Sequence, residues 1–269
     1  MQNVIKNIAA ADLLTALEVN LGAYWSSYGR TDETTLHATP DVVWFYTGIP
    51  VSLFNGVVSA RLQPDGVRKT YADLQEKIDK HGAPALWWLS PQATPANIGS
   101  LLAELGAQQA GEVPGMAINL TALDDKSDSI PGFTIEKVSG VDGQTLWARI
   151  AGAGTGFPEA ATEALAQIEG RLNDPAYKTQ PRYIGYLNGK PVATSALVLD
   201  SGVAGIYAVA TLPEARRQGI GRLMTVVPLL EAREMGYRVG ILQASTMGYP
   251  IYQKLGFEEV CKFQIYQQS

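Results

Sequence analysis

The stretch that most constrains this chain is Tyr207-Ala-Val-Ala-Thr-Leu-Pro-Glu-Ala-Arg-Arg-Gln-Gly-Ile-Gly-Arg222. Residues 203–209 form an apolar run of strand length, and Pro213 holds Leu212 extended. Helical periodicity through Ile220, Leu223, Met224 and Val227 then predicts a helix over 219–235. A basic, glycine-bearing turn therefore sits at a helix N-terminus. There the first backbone N–H groups lack partners and the helix dipole adds partial positive charge, so a phosphate is favoured if the backbone can come close. Gly219 and Gly221 remove the side chains that would block that approach, and Arg216, Arg217 and Arg222 surround it with charged donors. The implied ligand is a pyrophosphate.

Two other phosphate loops are excluded by spacing, because neither G-x-x-x-x-G-K-[ST] nor an early G-x-G-x-x-G occurs. What occurs is Arg216-x-x-Gly219-x-Gly221, which resembles the acetyl-CoA pyrophosphate loop of the GNAT superfamily of N-acetyltransferases. Downstream, residues 239–245 read as a strand, Thr246-Met-Gly248 as a turn, and 249–255 as a short helix. Pro250 suits the helix start and Gly256 its left-handed stop. The ending Tyr252-x-Lys-Leu-Gly-Phe257 is similar to the GNAT pattern in which a helix tyrosine faces the thioester sulfur. On that resemblance Tyr252 is the catalytic acid; the alternative is a tyrosine packed at the strand–helix seam.

The resemblance implies a fold and a site. The fold is α/β (α+β), with a mixed, mostly antiparallel sheet flanked by helices in a C-terminal domain over residues 126–269. The acyl donor is acetyl-CoA. The backbone of Val209 and Thr211 would hold the pantetheine and polarise the carbonyl, while Arg216, Arg217, Gln218, Gly219, Ile220, Gly221 and Arg222 would take the pyrophosphate. The family often has an asparagine after the penultimate strand; here Ser245 and Thr246 stand there, which puts one contact in doubt. No motif assigns a general base. Glu159, Glu163 and Asp200 are carboxylates placed where the acceptor could lie, but surface charge is the reading their type favours, and a water chain could serve as base instead. The rival readings are a CoA-binding sensor or scaffold without turnover, and a transferase of longer acyl-CoA.

Residues 1–125 form a first unit. Helices are expected over 13–21, 70–81 and 96–105, with Thr70 as N-cap and Gly82 as stop of the second. Strands are expected over 42–46, 53–62, 85–89 and 116–120, with Trp44, Trp87 and Trp88 in the core. Strand, proline-containing turn, helix ending Leu-Gly and strand occur here in the same order as over 239–266. The first unit therefore reads as a degenerate GNAT-like half without the glycine loop, or as an unrelated α/β domain. Residues 122–132 are polar and turn-rich and read as the linker.

In the second unit the spacing predicts a strand over 133–138 and helices over 142–151 and 159–171. Gly152-Ala-Gly-Thr-Gly-Phe-Pro158 between the helices reads either as a mobile lid or as a plain connection. Asn188-Gly189 predicts a hairpin between 183–187 and 191–199. Pro228 predicts a bend in the 219–235 helix, not its end.

The net charge of −5 disfavours broad nucleic-acid binding and favours a soluble protein acting on neutral or cationic small molecules, and a two-unit chain with a lid-like loop favours a small-molecule amine acceptor. No run is long and apolar enough to span a bilayer, and the first residues lack a secretory signal, so no membrane association and a cytoplasmic location are expected. The single cysteine, Cys261, is expected to be a buried thiol in the terminal strand, and two histidines with it make no metal site. A homodimer is compatible with this composition.

Overall fold

Period-two apolar runs become strands, and proline and glycine set their ends, in the computed structural model, which describes residues 4–124, 129–171 and 180–269. From the N-terminus come α1 (Leu13–Ser26), β1 (Thr35–Ala38), β2 (Val42–Tyr46), β3 (Asn55–Ala60), α2 (Pro64–His81), β4 (Ala85–Leu89), α3 (Ile98–Glu104) and β5 (Gln108–Asn119). Then follow β6 (Phe133–Lys137), α4 (Gly140–Thr155), α5 (Glu159–Arg171), β7 (Arg182–Leu187), β8 (Lys190–Asp200) and β9 (Val203–Thr211). The chain closes with α6 (Ile220–Glu234), β10 (Val239–Gln243), α7 (Tyr249–Lys254) and β11 (Glu258–Gln268). No helix among the described residues is long and apolar enough to cross a membrane.

Two compact units result, each built on mostly antiparallel strand pairs. The C-terminal unit takes Met1–Asn20 with Met116–Glu258, and the N-terminal unit takes Leu21–Gly115 with Glu259–Ser269. In the N-terminal unit β1, β2 and β3 are antiparallel neighbours, β3 runs parallel to β4, and β11 pairs antiparallel with β4 from Gln264↔Leu89 to Gln268↔Ala85. Its core holds Trp44, Leu74, Trp87 and Leu102, and the Trp87 indole donates to Gln268 Oε1 at 3.0 Å, so the last strand is fastened by a buried polar bond as well as by its ladder.

The C-terminal unit repeats this plan. β6, β7, β8 and β9 are antiparallel neighbours, and β9 runs parallel to β10. Leu197, Ile206, Met224, Val226, Leu229 and Leu242 bury the apolar face of α6 against the sheet. The α6 helix runs through Pro228 without ending. Of the linker expected over 122–132, residues 125–128 lie outside the described residues.

The repeat extends to bond geometry. In α3 and α7 alike a Leu-Gly pair closes the helix: Ala107 N–H donates to the Leu102 carbonyl at 2.9 Å, and Phe257 N–H donates to that of Tyr252 at 3.0 Å. Gly106 (φ 106°) and Gly256 (φ 92°) take the left-handed turn that other residues resist.

Four expectations change. Thr70 is not an N-cap but lies buried within α2, which begins six residues earlier because Pro64, pre-set for the first helical position, and Asp65 start it. The segment 152–158 is not a glycine loop: α4 continues through Gly152 and Gly154 and ends at left-handed Gly156. A Cβ on Gly152 would lie 2.5 Å from Thr162 Oγ1, so this glycine is there for the close crossing of α4 and α5. Cys261 is half-buried, not buried, because β11 is exposed along much of its first half. The strand expected over 116–120 is the inner end of the much longer β5.

Candidate active site

The site begins with a fault in a ladder. β8 and β9 pair Ala196 with Tyr207 and Thr194 with Ala210, leaving Ala208 and Val209 opposite Ser195 alone. Two residues facing one is a β-bulge, and it turns the end of β9 out of register. Ala208 carries the strain at φ 48°, unusual for a residue with a side chain, and Thr194 Oγ1 donates to its carbonyl at 2.9 Å to hold it. The parallel register of β9 with β10 covers only Ala204 and Gly205. Beyond them opens a cavity of about 470 Å³, lined by Gly154, by residues 209–211, by Ala215, Arg216, Arg217 and residues 219–222 of the turn, and by Ser245, Met247, Gly248, Ile251 and Tyr252.

The turn enters α6 through Gly219, its N-cap, at φ 84°, and no side chain caps this end. Arg217 is also left-handed at φ 61°. Positive φ at closely spaced residues is the backbone alternation that lets N–H groups converge on an anion. Gly221 is more telling. It sits in the first turn of α6, where glycine is no better a helix former than alanine, yet a Cβ added there would meet nothing within 4 Å. Packing therefore does not require a glycine at 221; what it leaves is open space above an uncapped helix start.

Tyr252 projects from α7 into the same cavity. Its ring packs against Phe257 at 5.8 Å between centroids, and a Cβ on Gly248 would lie 2.7 Å from that ring. Burial pushes the phenol up to about 12. The group thus keeps its proton across the working pH range. Buried Thr225 donates to the Gly221 carbonyl at 2.9 Å in the first turn of α6.

Of the residues singled out from sequence, Val209, Thr211, Arg216, Arg217, Gly219, Ile220, Gly221, Arg222 and Tyr252 line this one cavity, as does Ser245, and Gln218 is exposed and does not. None of the three carboxylates lines it. Glu163 is held by Arg149 Nε at 2.7 Å and Nη2 at 2.8 Å, and that bonding lowers its pKa. Asp200 accepts from Ser201 Oγ at 2.6 Å, and Glu159 is exposed. Sequence reasoning missed the bulge and the contact of Gly154 with the cavity, neither of which has a local signature. No group of His, Cys, Asp and Glu among the described residues could hold a metal.

Residues 180–259 match the model of the acetyltransferase (GNAT) domain family, a span that takes in β7 to α7 and every cavity residue except Gly154. The chain contains a GNAT acetyltransferase domain. Solved structures agree in fold over nearly the whole chain. A GCN5-related N-acetyltransferase from Kribbella flavida matches with a TM-score of 0.66 at 20% identity, over 94% of this chain and 95% of that one. A tandem GNAT protein from the clavulanic acid biosynthesis pathway matches at 0.61 and 14% identity, over 95% and 92%. A functionally unknown conserved protein from Staphylococcus epidermidis matches at 0.59 and 17%, over 88% and 94%.

The N-terminal unit repeats the strand order of the C-terminal unit with a different arrangement at the corresponding place. Where the C-terminal unit opens its parallel pair, this unit closes it: Thr94 N–H donates to the Ala60 carbonyl and Leu62 N–H to that of Thr94, both at 3.1 Å, with a bridge between Arg61 and Thr94. The following helix starts at Pro64 behind an extended Gln63, without a left-handed glycine. Counted from the shared Leu-Gly close, the place of Tyr252 is taken by Leu102.

Proposed function

We propose that this chain is an acetyl-CoA-dependent N-acetyltransferase that moves the acetyl group to the primary amine of a small molecule by direct attack on the thioester. The observation that carries this is the convergence, on one cavity, of a strand end freed by a bulge, a helix start with open glycines and a phenol that keeps its proton.

Each part has a task. Backbone N–H groups of Val209 and Thr211 bind the pantetheine and polarise the thioester carbonyl, so charge on its oxygen meets fixed donors. The first N–H groups of α6, with Gln218 and Ile220 contributing backbone and Arg217 and Arg222 contributing charge, take the pyrophosphate. As the amine nitrogen bonds to the acetyl carbon, the carbon–sulfur bond breaks and Tyr252 gives its proton to the sulfur; the amine loses a proton to solvent, which reprotonates the phenol. Because no carboxylate of the three considered lines the cavity, water is the base this reading uses. This reading has a cytoplasmic enzyme acting on a small amine without a membrane partner, and the net charge of −5 supports its having no nucleic-acid partner.

The test is calorimetric titration with acetyl-CoA, together with thiol release from acetyl-CoA and from longer acyl-CoA over a panel of amines. Tight binding with no release by any amine would make the chain a CoA-binding sensor, and faster release from a longer acyl-CoA would change the donor.

A further inference from the structure

Arg216 opens the phosphate-loop motif, yet its guanidinium is engaged elsewhere. Nε donates to the Thr211 carbonyl at 3.0 Å and Nη2 to the Gly154 carbonyl at 3.0 Å. The Gly154 carbonyl needs such a partner. It lies in the last turn of α4, and its helical donor four residues on would be Pro158, which has no N–H. The neighbouring carbonyl of Gly152 is already satisfied, by the N–H groups of Gly156 at 3.0 Å and Phe157 at 2.9 Å.

A second observation joins the same two elements. A Cβ on Gly154 would lie 3.1 Å from Ala210 Cβ and 3.2 Å from Thr211 N, so the end of α4 rests on the backbone that leaves the bulge. A planar guanidinium can span two carbonyls at fixed spacing; an ammonium can serve them only as a point charge.

We infer that Arg216 is a positioning residue and not a pyrophosphate ligand: it ties the end of α4 to the end of β9. Ordering of the loop around bound CoA then orders the end of α4 as well. This rests on the reading that the loop binds acetyl-CoA, and by reciprocity whatever binds against α4 tightens CoA by the same factor.

The experiment measures hydrogen exchange at the amides of residues 153–157, without and with saturating CoA, in the parent, Arg216→Lys and Arg216→Gln, alongside calorimetric CoA affinities. In the parent, CoA slows exchange there. Both variants lose that protection, and without CoA their exchange at 153–157 is about tenfold faster, the factor that corresponds to about 1.4 kcal/mol. Their CoA dissociation constants stay within about threefold of the parent's, since a difference of that size is well under 1 kcal/mol. The inference is overturned if Arg216→Gln weakens CoA more than about tenfold while Arg216→Lys does not, which is the pattern of a phosphate ligand. It is also overturned if CoA leaves the parent's exchange unchanged, or if protection persists in both variants. Should the parent bind no CoA, the proposed function fails, and the ligand-free exchange rates still test the tether: rates equal to the parent's would refute it.

Discussion

Tyr252→Phe separates a catalytic phenol from a packing ring. The variant keeps the ring that meets Phe257 at 5.8 Å and deletes only the hydroxyl. A change that keeps the ring and its packing costs less than about 1.5 kcal/mol of stability at neutral pH. A general acid typically supplies about 10²–10⁴-fold, or about 3–5 kcal/mol of barrier. Thiol release in single-turnover mode, with an amine taken from the panel, should fall by that factor while the calorimetric CoA affinity holds. The phenol also carries a signature in pH. Its folded value of about 12 lies above the ordinary 10, so its contribution is complete below pH 10 and is lost as pH rises from 10 to 12. The loss amounts to up to about 2.7 kcal/mol. Urea midpoints across that alkaline window should decline more steeply in the parent than in the variant. A variant that turns over at the parent rate with chemistry limiting would make Tyr252 structural and leave the thiolate to another proton donor.

Other perturbations test other parts. Gly219→Val forces a branched residue to φ 84°, at about 1–2 kcal/mol of strain, and puts a side chain beside the helix start; CoA affinity should fall at least about tenfold with the fold retained by circular dichroism, and unchanged affinity would remove the loop from the site. One CoA should bind per chain, since the N-terminal unit closes its parallel pair at Thr94 and has Leu102 in place of the phenol; two sites of similar affinity in a titration would contradict this. Gly152→Val drives a side chain into Thr162, whose Cβ already lies 2.9 Å from the added atom. It should lower stability by about 1–3 kcal/mol, and an unaltered urea midpoint would show that α4 and α5 can separate freely.

What the sequence determined by itself was local. Pro213 and the periodicity after Gly219 place strand, turn and helix in order because proline and glycine restrict φ wherever they stand, and Leu255-Gly256 closes α7 for the same reason. The glycine-rich cradle and Tyr252 were legible as a pattern, and the cavity gathers them with Ser245. Tertiary structure decided the rest, where one local pattern allowed two outcomes. Three glycines at 152–156 fit a loop as well as a helix; contacts with Thr162 and Thr211 made helix of the first two. Thr70 fits a cap, but Pro64 started the helix earlier and Thr70 was buried inside it. Arg216 belongs to the motif by spacing, yet the missing N–H of Pro158 left a carbonyl that its guanidinium fills. β11 follows the C-terminal unit in sequence and pairs with β4 in the other, because a ladder partner is chosen by backbone groups left open in space, which neighbouring residues do not encode.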